Sequence, residues 1–220
     1  MPDRAWLSQL KEHRAIAVIR APEISLGYQM ALTVASEGVK LIEITWNSQR
    51  ASELIAQLRT ELPDCTIGTG TLLNLKQMQE AIAAGAQFLF TPHVEPAMIQ
   101  AAVAANIPII PGALSPTEIV TAWASGASCV KVFPVEAMGG VHYIKSLQGP
   151  LGHIPLIPTG GVTIENTKDF LQAGAIAVGL SSQLFPKKCI EAGDWETVAQ
   201  QARRLRQMLS TRRELLTGNS

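Results

Sequence analysis

The chain has 220 residues, 47% of them hydrophobic and 16% charged, which suits one substantial core in a single domain spanning 1–220 and excludes a disordered or fibrous chain. Eighteen Lys plus Arg balance eighteen Asp plus Glu, so no overall field draws the protein to nucleic acid or to an anionic membrane. The expected partner is a small molecule.

The N-terminal segment MPDRAWLSQLKEHR carries charges throughout and lacks the apolar core of a signal peptide, and no stretch approaches the roughly 18 apolar residues of a membrane span. A soluble, unexported protein is expected. Cys65, Cys129 and Cys189 show no C-x-x-C spacing, and the histidines form no H-x-x-x-H pair, so neither a disulfide framework nor a metal site is signalled. That usage fits a reducing cytoplasm.

Short apolar or β-branched runs recur along the chain: AIAVIR (15–20), LIEITW (41–46), TIGTGT (66–71), FLFTP (88–92), IPIIPG (107–112), CVKVFP (129–134), PLIPTGG (155–161) and AIAVGLSS (175–182). Between them lie segments of helical period, such as LKQMQEAIAA from Leu75 and PAMIQAAVAA from Pro96. Asn74 with Gln77, and Ser115-Pro116-Thr117-Glu118, read as helix starts. Gly38, Gly85, Gly126 and Gly174 read as helix ends.

Eight strand–helix units predict an α/β fold, a (β/α)8 TIM barrel, with an extra N-terminal helix containing Trp6, Leu7 and Leu10 that plugs or flanks it. The run from Asp194, with Val198, Ala202, Leu205 and Leu209 on one face, is the eighth helix. An open doubly wound sheet is the competing architecture, but its G-x-G-x-x-G fingerprint is missing. Arg203, Arg204, Arg206, Arg212 and Arg213 read as a solvated helix face followed by a tail.

Barrel chemistry sits at strand ends, so polar residues inside strands are informative. Alternation puts Cys129, Lys131 and Phe133 on one face of their strand and Val130 and Val132 on the other; the valines suit the helix layer, so Lys131 points inward. A desolvated ammonium has a lowered pKa and becomes a usable amine nucleophile. The same lysine could instead be ion-paired or snorkel to the mouth. Glu43 shares an inward face with Leu41 and Thr45, as a general acid/base or as a salt-bridge partner of Lys131 or Arg20.

Thr71, on the face of Thr69, can offer its hydroxyl to a substrate carboxylate, and Arg20 ends the first strand with a planar fork for an anion. The Gly160-Gly161 turn after strand seven and the loop with Ser181 after strand eight occupy the usual phosphate position of such barrels.

Taken in order, AVIR at 17–20, Glu43-Ile44-Thr45, GTGTLLN from Gly68, TPH at 91–93, IPGALSPTE from Ile110, VKVFPVEAMGG from Val130, GP at 149–150, PTGGV from Pro158 and the loop at 179–182 form a specific set. From Ala15 to Leu209 the chain resembles the family of 2-keto-3-deoxy-6-phosphogluconate (KDPG) aldolases and 4-hydroxy-2-oxoglutarate (KHG) aldolases. The resemblance implies a (β/α)8 barrel, commonly a homotrimer, and class I cleavage with no metal or other cofactor. It places the Schiff-base lysine on Lys131, the acid/base on Glu43 and a carboxylate ligand on Thr71. The phosphate loops fall on Gly160, Gly161 and Ser181, and Phe133 is the aromatic residue beside the lysine.

One position departs from the family pattern. Many members read E-V-T-L-R with a carboxylate-binding arginine, whereas this chain has Asn47 there, which leaves Thr71, backbone donors and Arg20. The Asn47-Ser48 spelling is close to the 6-phosphogalactonate branch, and PTGGV is closer to the gluconate branch. The implied substrate is a small phosphorylated 2-keto acid, with pyruvate as a product. The resemblance leads to KDPG cleavage, with 4-hydroxy-2-oxoglutarate and the galactonate isomer as alternatives. A phosphosugar isomerase or epimerase, or a non-catalytic binding barrel, are the readings from outside aldolase chemistry.

Overall fold

The computed structural model describes residues 2–210, so Arg212 and Arg213 of the basic cluster lie outside the described residues. The first helix, α1 (Pro2–His13), leads into β1 (Ala15–Ile19), α2 (Ile24–Ser36), β2 (Leu41–Thr45), α3 (Ala51–Glu61), β3 (Thr66–Gly70) and α4 (Leu75–Ala83). The chain continues through β4 (Leu89–Phe90), α5 (Pro96–Ala104), β5 (Ile109–Ile110), β6 (Gly112–Ala113), α6 (Pro116–Ala124) and β7 (Val130–Val132). A short 3-10 turn at 135–138 precedes α7 (Val141–Leu151), β8 (Leu156–Pro158), α8 (Thr167–Gln172), β9 (Val178–Leu180), α9 (Lys187–Ala192) and α10 (Trp195–Ser210).

Local chemistry sets several boundaries. The Asn74 side chain accepts from the Gln77 N–H at 3.0 Å, and Ser115 with Glu118 forms a reciprocal capping box. Gly38, Gly85, Gly126 and Gly174 all have positive φ, as helix-ending residues do. Asp194 caps α10 through the Thr197 N–H and hydroxyl.

Every strand pairing is parallel, giving an α/β fold with a curled parallel sheet in two parts, β5-β4-β3-β2-β1-β9 and β6-β7-β8. The fifth apolar run is split into β5 and β6 because Pro111, lying between them, has no N–H for the ladder. The carbonyl of Pro111 still accepts from Lys131 N–H at 2.9 Å. At the other junction Thr159 bridges to Gly179, and Ile176 N–H donates to Leu156 O at 3.0 Å.

Alternation along the strands divides the apolar residues into two layers. Ile42, Ile44, Ile67, Leu89, Val130 and Val132 pack outward beneath the helices, together with Val198, Ala202 and Leu205 of α10. Ile16, Val18, Leu41, Phe88, Phe90, Ile110, Cys129 and Ile157 point inward, and Trp6 and Leu10 of α1 join them. The N-terminal helix is therefore a plug of the inner core. Outside, Arg203 pairs with Glu37 and Glu196, and Arg204 with Glu165, so the described part of the basic cluster is a solvated face laced with ion pairs.

The inner core is tight enough to dictate a glycine. A Cβ on Gly68 would lie 2.4 Å from the Phe88 ring, so only a residue without one admits this phenylalanine from the next strand. Gly68→Ala is expected to lower the unfolding free energy by about 1–3 kcal/mol through overpacking. Gly149→Ala on α7, where an added carbon meets nothing within 4 Å among the described residues, should be neutral or stabilising. Urea titration of the two variants checks the contrast.

Candidate active site

Lys131 is the central residue of β7, in register with Gly112 and Ile157 on the flanking strands. Its alternation partners settle its direction: Val130 and Val132 lie in the outer layer and Cys129 in the inner core. The side chain is 7% exposed, with Nζ 4.6 Å from the Phe133 ring centroid and 5.7 Å from that of Phe90. Burial pushes its pKa below the ordinary lysine value; Glu43 opposes that shift and Arg20 adds to it.

Glu43 stands at the centre of β2, in register with Val18 and Gly68, and is 2% exposed. Burial raises its pKa, while the charges of Lys131 and Arg20 pull it back. Arg20 itself is exposed, one residue beyond β1, and its charge acts on both buried groups. An amine and an acid whose burial favours their neutral forms can exchange protons with a carbonyl substrate at moderate pH.

Gly70 makes room for the acid. A Cβ there would fall 1.8 Å from Glu43 Oε1, so the carboxyl group lies directly over the backbone of β3. The two inward glycines of the GTG run thus admit Phe88 and Glu43 in turn. The expectation that Thr69 and Thr71 share a face requires correction. Thr69 is fully buried and donates to Ile44 O at 2.7 Å, whereas β3 ends at Gly70 and Thr71 has φ +61°. That left-handed turn interrupts the pleat. It is costly for a β-branched residue and marks the strand end as a constrained position.

The glycine loop is joined directly to the lysine strand. Thr159 N–H donates to Val132 O, Val135 N–H to Thr159 O and Glu136 N–H to Gly160 O, at 3.0, 3.0 and 3.1 Å. A Cβ on Gly160 would meet the Phe133 ring at 3.2 Å, and Gly160 and Gly161 both have positive φ. The bridge from Thr159 to Gly179 brings the second loop alongside. Ser181 is exposed there, and its carbonyl accepts from Leu184 and Phe185.

Asn47 is exposed in the turn after β2, and that turn is stapled to the residue following Arg20. Ala21 N–H donates to Ser48 Oγ at 3.1 Å, and Gln49 N–H to Ala21 O at 3.0 Å. Lys131, Glu43, Arg20, Phe133 and Gly160 are therefore linked by contact or charge, with Thr71 adjoining the Gly70 cradle. Phe90 and Gly70 were not singled out from the sequence. The signal for Phe90 was its inward alternation with Phe88, and that for Gly70 was a glycine inside a strand.

A family model described as "Aldolase: KDPG and KHG aldolase" matches residues 7–201. The chain belongs to the KDPG and KHG aldolase family. Among its relatives, the 2-dehydro-3-deoxy-phosphogluconate aldolase of Haemophilus influenzae is 34% identical over 197 residues, covering 90% of this chain and 93% of that protein. A solved structure described as native KDPGal superposes with a TM-score of 0.82 at 30% identity, covering 92% of this chain and 95% of its own. The KDPG aldolase of Legionella pneumophila, captured with pyruvate as a covalent carbinolamine, gives 0.84 at 26% identity, covering 93% and 98%.

As a KDPG and KHG aldolase family member, the chain is a carbon–carbon lyase. Gly70→Ala must displace the Glu43 carboxyl group, and a displacement of about 1 Å in a reacting group can cost on the order of 100-fold in rate. The variant should lose aldolase turnover by at least that factor while its circular dichroism spectrum stays unaltered. Full activity in Gly70→Ala would show that the position of Glu43 does not matter.

Proposed function

We propose that the protein is a class I aldolase that reversibly cleaves KDPG to pyruvate and glyceraldehyde 3-phosphate, with Lys131 as the imine-forming residue. The observation that carries this reading is the buried Lys131 amine on the inner face of β7, within the electrostatic reach of a buried Glu43. Neither group is needed to stabilise a parallel strand, where a buried charge is a cost.

Neutral Lys131 attacks the C2 carbonyl, and Glu43, directly or through water, relays protons as the carbinolamine loses water. Glu43 then takes the C4 hydroxyl proton. The C3–C4 bond breaks, its electrons enter the protonated imine to give an enamine, and glyceraldehyde 3-phosphate leaves. Protonation of the enamine at C3 and hydrolysis of the imine release pyruvate and regenerate the amine. The reaction needs no cofactor, because the imine itself is the electron sink.

Position supports the remaining roles. Arg20 and Thr71 receive the substrate carboxylate, and the Phe133 ring covers the imine. Backbone N–H groups around Gly160 and Gly161, together with Ser181, receive the phosphate. The stapling of the Asn47 turn to Ala21 supports Arg20 as the source of the charge that Asn47 lacks. Cleavage of the 6-phosphogalactonate isomer is the second reading, favoured by the Asn47-Ser48 spelling and the 30% identity to the KDPGal structure. The relation to KHG aldolases adds 4-hydroxy-2-oxoglutarate as a further substrate.

We also propose that the two parts of the sheet form one closed (β/α)8 barrel within a single domain, 1–220. The hydrogen bonds across the Pro111 break and the Thr159–Gly179 bridge support closure. A homotrimer is supported by the family resemblance and by Leu73, Leu75, Val103 and Val120, which are 55%, 40%, 48% and 47% exposed. Work in the cytoplasm is supported by the cysteine usage, which shows no C-x-x-C spacing.

Borohydride with pyruvate should add a pyruvate-derived mass at Lys131, and Lys131→Arg should abolish both adduct and pyruvate release. An unlabelled Lys131 under conditions that trap a control aldolase would remove the imine mechanism. Pyruvate release from KDPG, its galactonate isomer and 4-hydroxy-2-oxoglutarate ranks the substrates. Asn47→Arg is expected to lower KM for the preferred one, and identical KM values would show that Asn47 does not bear on carboxylate binding.

A further inference from the structure

The amine at Lys131 is the upper end of a continuous aromatic column. Its Nζ stands 5.7 Å from the Phe90 ring, Phe90 meets Phe88 edge-on with centroids 5.8 Å apart, and Phe88 stacks on Trp6 at 4.8 Å and 27°. Phe90 ends β4 and Phe88 immediately precedes that strand, and both rings lie in the inner core. Gly68 leaves the space in which Phe88 reaches the tryptophan.

Trp6 is brought there by α1, which sits where the strands begin. Thr66, the first residue of β3, donates to Gln9 Oε1 of α1 at 3.1 Å, and Arg14 N–H, just past the helix, donates to Leu10 O. Trp6 is 3% exposed and Leu10 fully buried, while Arg4, Ser8, Lys11 and Glu12 are exposed. The helix therefore delivers one large ring into the end of the inner core opposite the mouth.

Trp6 Nε1 is buried, and among the described residues no group accepts from it. What the indole supplies is apolar volume at the bottom of the column.

We propose that Trp6 is a positioning residue for Lys131: its ring seals the N-terminal end of the inner core and keeps water from reaching the amine along the Phe88–Phe90 column. The proposal rests on the reading of Lys131 as the imine-forming residue. Among the described residues, the charged groups that act on Lys131 are Glu43 from β2 and Arg20 from the end of β1, and neither lies on α1. Trp6 thus acts through hydration alone. Water admitted by a smaller side chain stabilises the ammonium, so the amine becomes neutral only at higher pH.

The test compares Trp6→Ala, Trp6→Leu and Trp6→Phe with the wild type, using the pH dependence of kcat/KM for KDPG and of borohydride trapping with pyruvate. In Trp6→Ala the acid limb of both profiles should move up by about one pH unit, so that the rate on that limb falls about 10-fold and recovers in more basic buffer. Trp6→Leu, which keeps the site apolar, should move it by a smaller amount, and Trp6→Phe should leave it in place. If Trp6→Ala does not fold, the Trp6→Leu profile decides. A uniform fall at every pH, or superimposable profiles, overturns the role given to Trp6. Absence of a wild-type pyruvate adduct at Lys131 would instead overturn the imine reading.

Discussion

The structure is organised around the burial of one amine and one carboxyl group in an otherwise apolar inner core. Taking either ion out of water is costly, and their mutual attraction offsets only part of that cost. The opposed shifts make this concrete, with the Lys131 pKa held down and the Glu43 pKa held up, burial being the larger cause for each. That cost fits the proposed use of the pair in chemistry. Here the outer layer of valine, isoleucine and leucine beneath the helices provides the stability, leaving the inner face free to hold strained electrostatics.

Close packing is the means by which the sheet carries that arrangement. Two glycines of β3 leave space for side chains of its two neighbours, Gly68 for Phe88 and Gly70 for Glu43. The strand therefore contributes absence of side chains, and its threonines do other work: Thr69 fastens β3 to Ile44, and Thr71 ends the strand in a left-handed turn. The loop at 159–161 is held to the segment after Lys131 by three backbone hydrogen bonds, so the proposed phosphate site and the amine belong to one rigid unit. Pre-organisation of this kind lowers the cost of aligning substrate with catalyst.

Much of this was legible in the chain. The eight apolar runs all contain strands, and the capping signals at Asn74 and Ser115 lie at helix starts, because period and cap chemistry are local properties. Alternation alone gave the direction of Lys131, since the two valines beside it had an outer layer to fill. The face of Thr71 was misread because alternation holds only while the backbone stays extended, and a positive φ at that residue cannot be deduced from a β-branched side chain. The break at Pro111 splits one expected strand into two segments, and α9 inserts a turn of helix before the expected eighth helix. Gly70 and Phe90 escaped notice since their roles depend on register across strands far apart in sequence.

The central claim, that Lys131 is a dry amine with a depressed pKa, is most directly tested by an NMR pH titration of the chain labelled with 15N and 13C at lysine, the resonance being assigned by its loss in Lys131→Met. The account predicts that this one amine releases its proton at clearly lower pH than an ordinary lysine side chain does. Titration of Lys131 near the ordinary lysine value of about pH 10.4 would contradict it.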